Sequence, residues 1–374
     1  MDKPTFQKIL TDYSDDVFKR LNLSYNQIKG LGQLSVCRTA KLGGHAEYCE
    51  NGHLHGIWYN SCRHRSCPQC QQLAKAQWVE KTQELLLDCP HHHVIFTIAH
   101  ELNSLWRYNR SVMIDLLFQS VQETLKAFSS DPQYLGAKPG ILSALHTWGR
   151  NLGLHCHIHV LISHGGLNEK GEWVTPKKKI LFPQTAVMRK FRGCYLSKIR
   201  KALDANQLKL PTGEDIASCR RTLTRIGTKK WTVHFCNKYV HGKGVAKYLG
   251  RYVKGGAFNN NQIKSVNAGE VRFLYKSHQT GSYAWLRLPV ERFVSRVVEH
   301  QLPPRKLAVR YSGLYSPSCR EKLNEAREQL GQEPVEAKEP LRWHEWLTAL
   351  GHDRTCSHSG GRLQNREEIK AERS

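Results

Sequence analysis

Two histidines lie two residues apart, at positions 157 and 159, in a stretch that reads HCHIHVLI over residues 155–162. These histidines alternate with apolar residues. In a β-strand, successive side chains point to opposite faces, so His157 and His159 share one face and the apolar residues share the other. Two imidazoles side by side on a strand can bind one metal ion. His155 extends the same row.

A third imidazole, that of His146, comes within reach if the chain forms a hairpin. Residues 140–148 are strand-like, and residues 149–153 can turn the chain back into the strand of His157 and His159. His93, in another strand-like stretch, is the alternative third ligand. Three protein nitrogens leave positions open for a substrate oxygen, which is typical of a catalytic site. Imidazole ligands suit Mn, Fe, Ni, Cu or Zn better than Mg.

Two tyrosines, Tyr248 and Tyr252, lie one turn apart in a stretch that predicts a helix over residues 244–253. Two phenols at this spacing most often pack in a core. A buried aromatic pair does not need positive charge, however, and four cations flank this one: Lys243, Lys247, Arg251 and Lys254. A tyrosine that attacks a phosphodiester does need a cation or metal ion nearby, because the free phenol has a pKa of about 10.

Cysteine and histidine are concentrated between residues 37 and 70. Cys67 and Cys70 form a C-x2-C pair, and Cys49 and His53 form a C-x3-H pair. Two such turns can close a tetrahedral zinc site. The spare candidates could even fill a second site: Cys62, His64, His45 and Cys37. Aliphatic residues are scarce here, so we expect zinc to supply the folding energy of this module.

The net charge indicates a polyanionic partner. The 374 residues include 56 Lys and Arg against 32 Asp and Glu, for a formal net charge of +24, and nucleic acid is the usual partner of such a protein. Arg63 and Arg65, among the zinc candidates, can contact phosphates, although a solvated basic surface accounts for them equally well.

The chain has no apolar run long enough to span a membrane, and its N-terminus lacks the order of a secretory signal. We therefore expect a cytoplasmic protein. Its 12 cysteines are then metal ligands or buried thiols rather than disulfides.

The order of elements predicts an α+β fold, with a central antiparallel sheet flanked by helices. Strand-like patterns occur at 93–98, 140–148, 155–163, 231–236, 271–275 and 283–288, and helical patterns at 1–35, 72–89, 103–129, 244–253 and 290–300. We expect a helical lead-in (1–36), a zinc-binding module (37–72), a catalytic domain (73–260) with a basic insertion at about 164–235, the C-terminal part of the catalytic region (261–315), and a polar, partly disordered tail (316–374).

The order of the motifs along the chain resembles that of a known family. His157-Ile-His159 resembles the HUH motif (His, hydrophobic residue, His) of rolling-circle nucleases. The HUH motif lies in the stretch LHTWGRNLGLHCHIHVLISHGG. Three motifs precede this stretch, in the order LGGHAEYC, SCRHRSCPQC and HHVIFT, and two follow it, VAKYLGRYV and VEHQLPPRKLAVRYSGL. This order, from about residue 37 to 315, resembles the two-tyrosine transposases of rolling-circle insertion sequences, of the insertion-sequence ninety-one type.

The resemblance implies an HUH-endonuclease domain and a mechanism. The HUH histidines, His157 and His159, match the ligands of a divalent cation, commonly Mg²⁺ or Mn²⁺, with His146 as the expected third ligand. Tyr248 and Tyr252 match the nucleophiles, which leave a 5′-phosphotyrosine on the protein and a free 3′-OH on the DNA. The partner implied is DNA, mainly single-stranded transposon ends and target, and the setting is bacterial and nucleoid-associated.

The sequence departs from the family in two places. Gly52-His53 stands where relatives often have a second C-x2-C cysteine, so we interpret His53 as a substitute ligand. Near the C-terminus, Cys356-Ser-His-Ser359 resembles a half-lost zinc knuckle.

Three alternatives stay open at this point. A replication initiator or relaxase would use the same nuclease core. A non-catalytic, zinc-dependent DNA-binding regulator would explain the charge and the cysteines but not the histidines and tyrosines. A tyrosine recombinase fits less well, since its chemistry uses an Arg/His constellation without a metal.

Overall fold

The computed structural model describes residues 3–177, 181–236, 238–240, 244, 250, 256–277, 279–336, 339, 342–351 and 355–372. Helices in this part are α1 (Phe6–Asp12), α2 (Ser14–Arg20), α3 (Tyr25–Ser35), α4 (Gln72–Leu85), α5 (Asn103–Tyr108), α6 (Arg110–Ser130), α7 (Gln184–Asp204), α8 (Ile216–Thr228), α9 (Val290–Glu299), α10 (Arg320–Gln329) and α11 (Trp343–Ala349). Strands are β1 (Gly44–Cys49), β2 (Leu54–Tyr59), β3 (His91–Thr97), β4 (Lys138–Trp148), β5 (Leu154–Leu167), β6 (Trp173–Val174), β7 (Thr232–Phe235), β8 (Ile263–Asn267), β9 (Glu270–Lys276), β10 (Tyr283–Pro289), β11 (Val309–Gly313) and β12 (Leu363–Ile369). No helix in these ranges is both long and apolar enough to cross a membrane.

The central sheet has six strands in the order β11-β4-β5-β3-β7, with β6 added to β5. Its named pairs are antiparallel, as the predicted α+β fold requires. The predicted hairpin is present, and its register sets His146 opposite His157 and Ala144 opposite His159. The alternation of β5 therefore puts the histidines on one face of the sheet and residues such as Ile158 and Val160 on the other.

The apolar face of the sheet carries the largest core. Side chains of β3, β5 and β7 pack there against α6 and α7, with Phe96, Phe191 and Trp231 in edge-to-face ring contacts. The segment expected to be a basic insertion thus supplies helices α7 and α8 to the core. Between its basic residues, α7 carries an apolar stripe at helical spacing that is buried in this core and includes Val187, Phe191, Tyr195 and Ile199.

The helix expected over residues 103–129 is two helices, α5 and α6, that meet at Asn109. The Asn109 side-chain amide donates to the carbonyl oxygens of Leu105 (3.0 Å) and Lys209 (2.7 Å). A side chain that bonds to neighbouring backbone groups competes with the helical ladder, which accounts for the break.

The helical lead-in shares a core with the segment that begins at Gly256. Phe6 of α1 packs edge to face against Phe258 and Phe293, and the three-stranded sheet β10-β9-β8 contributes Phe273 to the same core. Cys37 and Cys67 are buried members of this core. Residues expected to form separate regions of the chain therefore fold together.

The C-terminal segment differs from the expected polar tail. It contains α10, α11 and β12, and β12 pairs with β1 in a third sheet of order β12-β1-β2. A strand pairs through its backbone groups, so a polar sequence such as Leu363–Ile369 can still form one. Composition alone did not reveal this pairing, because the partner strand lies more than 300 residues away along the chain.

Candidate active site and metal clusters

Three histidines converge on the polar face of the hairpin. A donor nitrogen from each of His146, His157 and His159 lies within 4.8 Å of the other two. The Nε2 atoms of His157 and His159 are 3.1 Å apart, and the ring centroids of His146 and His159 are 4.2 Å apart. All three residues expected on one face are thus brought together by the β4–β5 register.

Hydrogen bonds outside the cluster orient two of these rings. Nδ1 of His157 lies 2.7 Å from the carbonyl oxygen of His155, which can only accept, so Nδ1 carries the proton and donates. Nδ1 of His159 lies 2.7 Å from Nε2 of His93. Each contact leaves the Nε2 atom of His157 or His159 facing the centre of the cluster.

Burial keeps the imidazoles of His146, His159 and His93 neutral. It lowers the pKa of His159 to about 2, with further lowering by His157 and His93, and it lowers the pKa of His146 well below its usual value. The pKa of His93 falls to about 4, again mainly through burial. Neutral imidazole is the form that binds metal ions, so the environment favours ligation over charge.

The spacing of the nitrogens fits a shared metal ion. Two ligands about 2.1 Å from one ion and at right angles to each other lie about 3.0 Å apart. The observed Nε2–Nε2 separation of His157 and His159 is 3.1 Å. With His146, the donor set is three imidazoles on one face, which leaves the remaining coordination positions to other groups.

The expected nucleophiles, Tyr248 and Tyr252, lie outside the described residues, and so do Lys243, Lys247, Arg251 and Lys254. Gly250 is described, and it is buried against helix α4, where an added Cβ would meet the Val79 side chain.

Helix α4 covers the histidine face of the central sheet. Its Thr82 hydroxyl lies 3.2 Å from the hydroxyl of Tyr311. Tyr311 sits on β11 opposite Leu142 of β4, and Leu142 lies opposite Leu161 in register with the histidines.

Four cysteines form a compact cluster in the zinc-binding module: Cys37, Cys62, Cys67 and Cys70. The sulfur atoms of Cys37 and Cys67 are 3.5 Å apart, and those of Cys62 and Cys70 are 3.7 Å apart. Sulfurs bound tetrahedrally about 2.3 Å from zinc lie about 3.8 Å apart. Thiol hydrogen bonds within the cluster, from Cys37 first, lower the pKa of Cys70 and raise that of Cys67.

Cys49 and His53 lie in a different cluster, together with Cys356 from the C-terminal segment. The expectation that the C-x3-H turn and the C-x2-C turn close one site is therefore not met. Cys37, a spare candidate in the sequence, takes the place beside Cys62, Cys67 and Cys70. Hydrogen bonds from Ser359, and from the backbone of residues 358 and 359, lower the pKa of Cys356 to about 5.

Arg63 and Arg65, the predicted phosphate contacts, are both exposed. They line a cavity of about 440 Å³ together with Lys29 and Arg110. Arg65 also donates from Nη1 to the carbonyl oxygen of Lys306 at 2.7 Å, which ties the zinc-binding module to the segment before β11.

Two further histidines, His91 and His93, lie on the histidine face, and the first of them was missed in the sequence analysis. His91 is buried, and its Nε2 lies 2.6 Å from the hydroxyl of Tyr315. His93, considered only as an alternative ligand, contacts His159 instead. The signal for both was present, because alternation along β3 places residues 91 and 93 on the same face as the hairpin histidines.

Comparisons with known proteins bear on both the histidine cluster of the central sheet and the N-terminal cysteine cluster. Residues 140–322 match the family described as "Putative transposase", and residues 9–98 match the family described as "Transposase zinc-binding domain". The protein named "Putative transposase y4qJ" from Sinorhizobium fredii is 32% identical over 349 residues, which cover 88% of each chain. The chain belongs to the IS91-type transposases.

A second relative agrees with this assignment. The "Transposase for insertion sequence element IS801" of Pseudomonas savastanoi pv. phaseolicola is 30% identical over 297 residues, covering 77% of this chain and 70% of that protein. Membership of a transposase family implies an enzyme that cuts DNA, and it favours the transposase over the initiator, the relaxase and the regulator. The zinc-binding-domain match supports structural Zn²⁺ in the N-terminal part of this transposase.

Proposed function

We propose that this transposase nicks and joins single-stranded transposon ends through a covalent tyrosine intermediate, with a divalent cation, Mg²⁺ or Mn²⁺, held by His146, His157 and His159. The observation that carries the proposal is the convergence of the three buried imidazoles on one sheet face. A bound divalent cation supplies Lewis-acid polarisation of the scissile phosphate.

The positions of the ligands come from rigid elements. His157 and His159 are on the central strand β5, and His146 is held opposite by the β4–β5 ladder. The His155 carbonyl and the His93 ring fix the orientation of the ligating rings. Such supporting contacts are worth about 10–100-fold in metal affinity in comparable sites.

Tyr248 and Tyr252 are the nucleophiles in this proposal. The phenolic oxygen of one tyrosine forms a bond to phosphorus as the bond from phosphorus to the 3′-oxygen breaks, and the leaving oxygen takes up a proton to become a 3′-OH. The DNA stays on the protein as a 5′-phosphotyrosine ester. Attack by a 3′-OH on this ester reverses the step and joins strands without an external energy source.

An exposed aromatic and basic sheet face supports the single-stranded preference. Tyr283 and Trp285 on β10 are 73% and 51% exposed, and Arg272 stacks over the Trp285 ring at 4.6 Å. Lys276 lies opposite Tyr283 in the ladder. Unpaired bases stack on such rings while cations contact the backbone phosphates, which a duplex with stacked bases does not permit.

This face is linked to the active-site hairpin. Arg150, in the turn between β4 and β5, donates to the carbonyl oxygen of Lys276 at 3.4 Å. A strand lying across β10 and β9 would therefore run towards the end of the hairpin that carries His146.

The test is the formation of a covalent protein–DNA adduct. Full-length protein is incubated with labelled single-stranded oligonucleotides from the element's ends, with and without Mn²⁺, and analysed under denaturing conditions. We expect an adduct that requires the divalent ion and that is lost in the His157→Gln/His159→Gln variant. His55→Gln, an exposed histidine on β2, is the matched control and retains the adduct. Absence of an adduct with any divalent metal, or its persistence in the double variant, contradicts the proposal.

A further inference from the structure

The two ends of the chain meet at a second group of metal-binding side chains. Cys49 and His53 flank the turn after β1, and Cys356 precedes β12. The Sγ of Cys49 lies 3.5 Å from Nδ1 of His53, and the Sγ of Cys356 lies 3.9 Å from the same nitrogen. A sulfur and a nitrogen bound tetrahedrally to one zinc ion lie about 3.6 Å apart.

Two tight turns present these ligands. In the first, the amide of Gly52 donates to the Cys49 carbonyl at 2.9 Å, and Gly52 has a φ of 78°. In the second, the amide of Gly360 donates to the Cys356 carbonyl at 2.8 Å, and Gly360 has a φ of 67°. Glycine adopts this left-handed conformation without strain, so both turns suit their sequence.

Very little apolar surface holds this part of the molecule together. Among the residues that the structure describes, the local core consists of Cys49, Cys356 and Leu363, and β2, the outer strand of the sheet, is largely exposed. A core of this size cannot hold two ends of a chain together, whereas a structural metal ion can. Cys49 and Cys356 are 0% and 3% exposed, and such burial is typical of structural zinc thiolates.

We propose that Cys49, His53 and Cys356 bind a second structural zinc ion, separate from the four-cysteine cluster, that clamps the C-terminal strand onto the zinc-binding module. The ligand set spans both ends of the chain. Cys356 lies outside the segments that match the two transposase families.

The fourth coordination position lies beside Ser359. Its hydroxyl is 3.7 Å from the Cys49 sulfur, and the spacing Cys356-x2-Ser359 is that of a C-x2-C pair with its second thiolate replaced by a hydroxyl. A neutral hydroxyl or a water molecule is a weaker zinc ligand than a thiolate. The site should therefore release its ion to a chelator before the four-cysteine cluster does.

The experiment is metal analysis of the full-length protein purified in reducing buffer. We expect about two zinc ions per chain in the wild type and about one in Cys356→Ser. Cys194→Ser, a cysteine on α7 outside both clusters, is the matched control and should keep about two. Limited proteolysis gives an independent readout, because loss of the clamp should speed cleavage before β12 in Cys356→Ser but not in the control.

A gain of affinity provides a second test that does not depend on a damaged protein. Ser359→Cys supplies a fourth thiolate, so it should retain its second zinc ion at chelator concentrations that remove it from the wild type. A wild type with about one zinc ion, or a Cys356→Ser variant with the wild-type content, overturns the proposal. So does a disulfide between Cys49 and Cys356 in the purified protein, or a Ser359→Cys variant as easily stripped as the wild type.

Discussion

Acidification should destabilise the protein through His91, which is buried in the central sheet. Its Nδ1 donates to the carbonyl oxygen of Cys89 at 2.8 Å, and its Nε2 accepts from the Tyr315 hydroxyl at 2.6 Å. The Leu87 amide donates to the Tyr315 oxygen at 3.2 Å. Every polar side-chain atom in this series of hydrogen bonds has a partner when His91 is neutral. A proton on Nε2 of His91 would displace the Tyr315 hydroxyl as donor.

The size of the effect follows from the pKa of His91. Burial lowers this pKa from 6.5 to about 4. The unfolded chain therefore binds more protons than the folded one between these values, so stability is fully present above pH 6.5 and falls as the pH drops towards 4. The whole shift corresponds to about 3 kcal/mol of unfolding free energy, of which about 2 kcal/mol is lost by pH 5.

The assay is urea unfolding followed by circular dichroism at pH 7.5, 6.5, 5.5 and 5.0, with wild type and His91→Gln compared. Protonation of other buried histidines also destabilises the protein in acid. The contribution of His91 is therefore the difference between wild type and variant in how the unfolding free energy changes with pH. We expect the wild type to lose about 2 kcal/mol more than the variant between pH 7.5 and 5.0. His55→Gln, exposed on β2, should follow the wild type. Superimposable profiles for the wild type and His91→Gln would refute the reasoning.

Four further substitutions and one control test the packing and the DNA surface. Tyr315→Phe leaves the Leu87 amide and His91 Nε2 without their hydroxyl partner and should lower the unfolding free energy by about 1–3 kcal/mol at pH 7. Gly140→Ala places a Cβ 2.5 Å from the Tyr315 ring and should lower the unfolding free energy by about 1–3 kcal/mol. Gly193→Ala in α7 meets nothing within 4 Å and should raise the unfolding free energy by about 0.5–1 kcal/mol. Melting temperatures equal to that of the wild type would contradict both predictions. Trp285→Ala should weaken binding of a fluorescent single-stranded oligonucleotide by about 1–3 kcal/mol, while Tyr25→Ala, at an exposed aromatic of α3, should not; equal affinities would rule out stacking on β10.

Local patterns predicted the elements that carry the proposed catalytic site. Alternation along residues 155–162 gave the correct two faces of β5, and the glycine-rich turn before it gave the hairpin that brings His146 to His157. These contacts are close in sequence, so their geometry follows from strand periodicity and one turn. The helix at Val290–Glu299 followed from its apolar spacing in the same way.

Long-range pairings were not predictable from one sequence. Cys37 lies beside Cys62 and Cys67 because Cys37 and Cys67 are both buried in the core that α1 shares with Phe293. The pairing of β12 with β1 spans nearly the whole chain, and nothing in the polar composition of β12 indicates it. Cysteine spacing identifies candidate ligands, but the distribution of those ligands between the two clusters depends on this tertiary contact.

Peptide mapping of the covalent adduct tests the proposed chemistry most directly. Trypsin separates the two tyrosines, because cleavage after Lys247, Arg251 and Lys254 yields Tyr248 and Tyr252 in different peptides, YLGR and YVK. After the DNA is trimmed by a nuclease, mass spectrometry should find the nucleotide on one or both of these peptides, through a tyrosine ester to a 5′-phosphate. The adduct should disappear in Tyr248→Phe/Tyr252→Phe. A nucleotide on any other residue, or an adduct that survives the double substitution, would contradict the account.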